Sequence, residues 1–278
     1  VKPSGTYTPQ QLVEDILIRS DCANVSNFAV QGQAGVTYFN RNNSEFPLKE
    51  GVIIRSGNAA FTQGQYNNSG TSDSTVGSNT GDAQLQAISN AQGGTWPIND
   101  VSSLSFDFVP LTANFSFKFL FASNEYGAFQ CDYGDVFAFI LTDLTVGGAP
   151  LNVAIIPDVL PPTKVAVTTV RNSANNGNCA SVNPFWFDRF NQFANAATST
   201  INMRGQAKPM VAQATVVPNH VYRIKLVIGD YRDTSFDSAV FIEGGSFNIG
   251  NAAITGTDDG PTDFSGLEDF TIENGTAL

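Results

Sequence analysis

The segment FSFKFLFAS, residues 115 to 123, places Phe115, Phe117, Phe119 and Phe121 at alternate positions with Ser116, Lys118 and Leu120 between them. Successive side chains of a strand point to opposite faces, so this pattern specifies a strand with one aromatic face. Twenty-two phenylalanines used in this way imply a core squeezed between two sheets. The segments GVTYFN (35 to 40), GVIIRSG (51 to 57), SLSFDFVP (103 to 110), DVFAFILT (135 to 142), NVAIIP (152 to 157), KVAVTTV (164 to 170), VYRIKLVIGD (221 to 230) and SAVFIEGGSF (238 to 247) are also short and rich in Val, Ile and Phe. Gly, Pro and Asn break them apart, which is the signature of many short strands. One helix is expected, TPQQLVEDILI at 8 to 18. Thr8 caps it, Pro9 suits its first turn, Gln11 completes a capping box, and Leu12, Val13 and Ile16 form its apolar face. The expected fold class is therefore all-β, a jelly-roll-like β-sandwich with one short N-terminal helix and long surface loops.

Residues 1 to 250 read as one domain and 251 to 278 as an acidic C-terminal tail. Between Ser56 and Asn99 the composition turns to Gly, Asn, Ser, Thr and Gln, with Asp73 and Asp82 as the only charges. This is a long surface excursion with a short helix expected at 81 to 90, and excursions of such length tend to be functional. A second excursion, 171 to 193, joins an Asn-rich turn to a cluster of aromatics. The tail carries Asp258, Asp259, Asp263, Glu268, Asp269 and Glu273 without Lys or Arg, yet it keeps the apolar anchors Phe264, Leu267, Phe270 and Ile272. A disordered linker needs no such anchors. The tail is a strand docked on its own domain, the start of a neighbouring domain, or a segment that pairs with another subunit's sheet edge.

Fourteen basic against 25 acidic residues give a net charge of -11, which argues against nucleic acid as a partner and favours divalent cations where carboxylates converge. No apolar run reaches the ~18 residues of a membrane span. The chain opens VKPSGTYTP without Met, which suggests a mature form whose leader has been removed and a place outside the cytoplasm. Cys22, Cys131 and Cys179 lack the spacing of a zinc site. Two alternatives remain open: a Cys131–Cys179 disulfide plus a free thiol, or three reduced buried cysteines.

Enzymatic signatures are sparse. His220 is the single histidine, no GxSxG or HExxH motif is present, and GNAAFTQGQ lacks the Lys of a phosphate-binding loop. Glu125 and Asp237 are the carboxylates a glycosidase would use, and only their separation decides that. Calcium suits the residues better. One loop brings Glu125, Asp132 and Asp135 within eleven residues, and another brings Asp230, Asp233 and Asp237 within eight. Hard oxygens on turns fit a six-to-eight-coordinate Ca2+. The competing expectation is that these acids cap turns or pair with Arg189 or Arg232.

The order FDFVP, FxFxFxFASNEYGxFxCxxxxDVFAFxLT, NVAxIP and IGDxxDxxFDSAVFIEGGSF resembles the choice-of-anchor L family of bacterial surface domains, common in Bacteroidetes. SGTYTPQQLVEDILI, GVTYFN and FPLKEGVIIRSGNA are similar to its amino-terminal part, so the resemblance covers residues 4 to 248. It implies a secreted, exposed protein attached to something, and it carries no catalytic residues. Glu125, Asp135, Asp230 and Asp237 match the family's acidic positions, and Cys131 matches its cysteine. The expectation is a non-catalytic structural or adhesive surface protein, stabilised by calcium, that associates with itself or with other surface proteins and forms filaments through Phe264, Leu267, Phe270 and Ile272. The alternative is a lectin-like module in which Trp186 and Tyr231, with Phe185 and Phe187 nearby, stack on polysaccharide.

Overall fold

The computed structural model describes residues 1–20, 23–77 and 81–250. Cys22 and the four tail anchors Phe264, Leu267, Phe270 and Ile272 lie outside the described residues. In chain order the strands are β1 (Val25–Gln31), β2 (Val36–Asn40), β3 (Glu50–Arg55), β4 (Ile98–Phe108), β5 (Asn114–Ser123), β6 (Val136–Asp143), β7 (Leu151–Asn152), β8 (Phe187–Phe190), β9 (Gly205–Ala207), β10 (Met210–Thr215), β11 (Tyr222–Tyr231) and β12 (Ser238–Glu243). They form two antiparallel sheets. The first has five strands in the order β1-β4-β11-β6-β7. The second has seven, β2-β3-β12-β5-β9-β8, with β10 also paired to β5.

The phenylalanine stripe sits where its alternation puts it. Phe115, Phe117, Phe119 and Phe121 are all buried in the main core between the sheets. Phe119 meets Phe139 of β6 edge-on at 5.0 Å, Phe121 stacks on Phe137 at 5.2 Å, and Phe117 stacks on Phe247 at 4.3 Å. Each such ring pair adds about 0.5–1.5 kcal/mol beyond the area it buries. Leu120, on the other face of β5, is equally buried, because Phe39, Phe46, Met203 and Phe241 cover the outer side of the seven-stranded sheet. A third, smaller cluster lies under the helix α1 (Ala83–Ala91), where Leu85 packs on Val136, Ala138 and Val227.

The N-terminal helix begins with an α-helical turn at Pro9–Gln11 and continues as a π-helix over Leu12–Ile18. Thr8 Oγ1 accepts from the Gln11 amide at 3.2 Å and Gln11 Oε1 accepts from the Thr8 amide at 2.9 Å, a reciprocal cap. Leu12, Val13, Ile16, Leu17 and Ile18 all enter the main core.

Two expected strands take another form. Of the segment 152 to 157 only Asn152 falls in the short strand Leu151–Asn152 that pairs with β6, and beyond it a single bridge joins Ile155 to Lys164. Residues 164 to 170 form a turn, although Val165, Val167 and Val170 are buried as a strand's would be. Thr169 Oγ1 donates to the Lys164 carbonyl at 2.7 Å and accepts from the Ala166 amide at 2.9 Å, so the segment satisfies its own backbone and needs no partner strand.

Candidate functional site

Six strand ends meet at one end of the sandwich. The five-stranded sheet brings the start of β4 (Asp100), the residue before β6 (Asp135) and the end of β11 (Asp230). The seven-stranded sheet brings the end of β3 (Arg55, Ser56), the end of β5 (Ser123, Glu125) and the entry to β12 (Asp237, Ser238). Antiparallel pairing makes this meeting unavoidable: Val136 is opposite Gly229, Ser123 opposite Ser238, and Arg55 opposite Ala239. Two acidic motifs about a hundred residues apart in the chain thus become one cluster across both sheets.

Asp100, Asp230 and Asp237 are 0% exposed, Asp135 1% and Glu125 2%. Asp237 has a cation. Its Oδ2 accepts from Arg55 Nε at 3.0 Å and Nη2 at 2.9 Å, and Arg55 is itself fully buried. Arg55 also donates to Thr62 Oγ1 at 3.1 Å and to the Gly70 carbonyl, while Asp237 Oδ1 accepts from the Asp73 amide at 3.0 Å. One ion pair therefore pins the residues after β3 against the entry to β12. The backbone has to come close for this: a Cβ on Gly57 would lie 1.9 Å from Asp237 Oδ2.

Asp135 has no cation but has donors, the Tyr231 amide at 3.1 Å and Ser238 Oγ at 2.6 Å. Ser238 Oγ is also 2.8 Å from Ser123 Oγ in its own sheet, so its bond to Asp135 is what links the two sheets. Glu125 Oε2 accepts from the Asp135 amide at 2.9 Å. Asp100 and Asp230 have nothing: neither oxygen of either carboxylate has a hydrogen-bond partner. Asp100 sits in the left-handed region at φ 46°, and the β11–β4 register shifts between Ile228 and Asp230. That bulge turns both side chains inward.

Burial pushes the carboxyl groups of Glu125, Asp135 and Asp230 well above the usual carboxylate range, and the negative charge of neighbouring carboxylates pushes the same way. Burial raises Asp100 too, with the Asp73 charge adding to it. Asp237 is raised to about 6, because burial outweighs the Arg55 guanidinium that opposes it.

Of the six carboxylates expected to bind metal, Glu125, Asp135, Asp230 and Asp237 share this cluster. Asp132 and Asp233 are exposed. Asp132 lines a separate cleft of about 340 Å³ with Gln92, Lys164, Thr168 and Tyr231. Asp233 Oδ1 caps the Ser235 amide at 2.9 Å, though its charge still reaches Glu125 and Asp135. Among the described residues no three Asp, Glu, His or Cys side chains form a ready-made metal-binding group. Cys131 and Cys179 form a disulfide, Cα–Cα 5.6 Å, which ties the acidic loop to the Asn-rich one. Arg171 Nη1 donates to the Gln130 carbonyl at 2.9 Å across the same join.

The expected arginine partners are engaged elsewhere. Arg232 lies 4.9 Å from the ring centres of both Trp96 and Tyr133, and Arg189 donates to Thr198 and to the Asn195 carbonyl. Trp186 and Phe187 are half-buried against the main core, with Phe185 exposed beside Trp186. Tyr231 is held by the Thr95 amide at 3.0 Å and lines the cleft that Trp186 does not reach. His220 pairs with Asp143 at 2.8 Å where β6 ends and β11 begins, the opposite end of the sandwich from the acids. Sequence reasoning missed Asp100, Asp73 and Arg55. The one available signal was the charge inside the apolar run GVIIRSG, since a buried strand tolerates Arg only opposite a carboxylate.

Among the described residues no helix is long and apolar enough to cross a membrane. No curated protein and no solved structure matches the chain. The choice-of-anchor L domain matches residues 1–248, and the chain therefore belongs to that family of surface-associated or secreted proteins.

Proposed function

We propose that this domain is a non-catalytic structural or adhesive module of the cell surface, whose acidic end is stiffened by calcium and whose tail joins it to copies of itself or to other surface proteins. One observation carries the reading. The carboxylates that define the family pattern are sealed between the two sheets, and three of them, Glu125, Asp135 and Asp237, are tied to backbone amides, Ser238 and Arg55, where a substrate has no path to them. Groups placed in this way hold parts together.

Assembly has support in topology. Asn248, just before the tail, bridges to Ser116 of β5, and Gln213 of β10 pairs with the other side of Ser116. The outer edge of β10 has no partner strand among the described residues. The tail thus leaves the domain two strands away from an open sheet edge, the geometry from which strand addition between copies builds head-to-tail fibres. Negative-stain electron microscopy of the full chain and of a chain truncated after Gly250 tests this. Fibres that vanish on truncation are expected; single particles in both preparations would remove self-assembly.

A second reading, the lectin-like module, is favoured by the cleft in which Tyr231, Asp132, Gln92 and Lys164 converge. Such a mixture of one ring with polar groups suits a saccharide. Retention on a glycan array, lost in Tyr231→Ala, separates it from the first.

A further inference from the structure

Asp100 and Asp230 pose a problem that the rest of the cluster does not. Both are fully enclosed, and neither accepts a hydrogen bond. Ser56 lies beside Asp230 and Ser74 beside Asp100, yet neither hydroxyl reaches hydrogen-bond geometry. A proton lessens the charge, as burial favours, but it leaves the other oxygen of each carboxyl group enclosed without a donor. No side-chain cation supplies one. Among the described residues Arg55 is the one buried cation, and its nitrogens are committed to Asp237, Thr62 and Gly70. Asp135 and Asp237 add further negative charge to Asp230, and Asp73 adds it to Asp100.

We propose that Asp100 and Asp230 together hold a divalent cation, calcium in preference to magnesium, at the bulge where β4 and β11 diverge. This rests on the structural reading of the domain and gives its acidic end a definite centre, which takes only Asp230 from the two acidic loops and adds Asp100 of β4. Two carboxylates supply as many as four oxygens, and hydroxyls, main-chain carbonyls and water supply the rest of calcium's six to eight. A third acid is not required. Calcium is preferred because it accepts an irregular shell, whereas magnesium demands a near-octahedral one and keeps its water. An ion here touches the five-stranded sheet through both aspartates and draws in the residues of the long excursion around Asp73 and Ser74. It is thus a cross-link whose strength follows the calcium level outside the cell.

The test uses the full chain, stripped with EGTA and dialysed, with calcium chloride or magnesium chloride as the probe. Metal analysis and calorimetry should find one calcium per chain, with a dissociation constant at or below the order of 1 mM typical of extracellular modules. The melting temperature should climb with the logarithm of calcium concentration and respond much less to magnesium. Asp100→Asn and Asp230→Asn should each abolish the response, while Asp132→Asn and Asp233→Asn keep it. Should both buried variants fail to fold, terbium emission sensitised by the nearby tyrosines of the wild-type chain, and its displacement by calcium, gives the same answer. Wild-type chain that binds no calcium, or a response lost in Asp132→Asn or Asp233→Asn and kept in the buried variants, overturns the proposal. Fibres that persist in a calcium-indifferent chain would sink the ion and leave the assembly reading intact; calcium binding by a chain that never assembles would do the reverse.

Discussion

At the scale of single residues, Arg55 and Asp237 decide how the long excursion stays fixed to the seven-stranded sheet. Both side chains are fully buried, so removing one leaves the other's charge without compensation. Arg55→Met is expected to cost about 3–5 kcal/mol in urea unfolding, and the double variant Arg55→Met/Asp237→Leu to recover much of it, as apolar replacement of a whole buried pair often does. A loss below about 1 kcal/mol in the single variant would mean that the pair is a surface-like contact. The acids were partly legible in the sequence because Glu125, Asp135, Asp230 and Asp237 sit in loops beside turn residues. Asp100 was not, since NDVSSLSF reads as a polar entry to a strand and nothing local shows that its side chain turns inward. That inward turn depends on a bulge between β4 and β11, a pairing more than a hundred residues apart in sequence.

At the scale of elements, pattern strength separates what could be read from what could not. β5, β6, β11 and β12 carry long runs of large apolar residues and were legible to within a few positions. β10 (Met210–Thr215) pairs along the whole of its length with β5, yet it offers only Met210, Ala212 and Ala214 to the core side, too little side-chain volume to make a pattern. The turn at 164 to 170 fails in the opposite sense: it has the apolar content of a strand, but burial alone does not reveal whether the backbone bonds to a neighbour or to itself. The two loops at the acidic end are joined by the Cys131–Cys179 disulfide, 48 residues apart. Closing a loop of that size restricts the unfolded chain, and the Cys131→Ser/Cys179→Ser pair is expected to lose about 2–4 kcal/mol. Thermal unfolding with and without reductant checks it; equal melting temperatures would show that the bridge adds nothing to the hydrogen bonds between these loops.

At the scale of the whole molecule, the two ends of the sandwich do different things. One end gathers the buried carboxylates and fixes the sheets to each other. At the other the chain passes Asn248 and leads into the acidic tail, close to the open edge of β10. Alternating phenylalanines made the sandwich legible, and the net charge of -11 made an anionic chain legible. The convergence of two distant motifs into one enclosed cluster is a product of strand order, which no local pattern encodes. The central claim is that this cluster is a closed brace. Hydrogen exchange of the full chain tests it most directly at the amides of Asp73, Asp135 and Tyr231, each of which donates to a buried carboxylate. A brace requires those three amides to exchange as slowly as the central strands β5 and β11. Rapid exchange at all three, with the strands protected, would mean that the carboxylates face an open cleft, and the structural reading would give way to a binding or catalytic one.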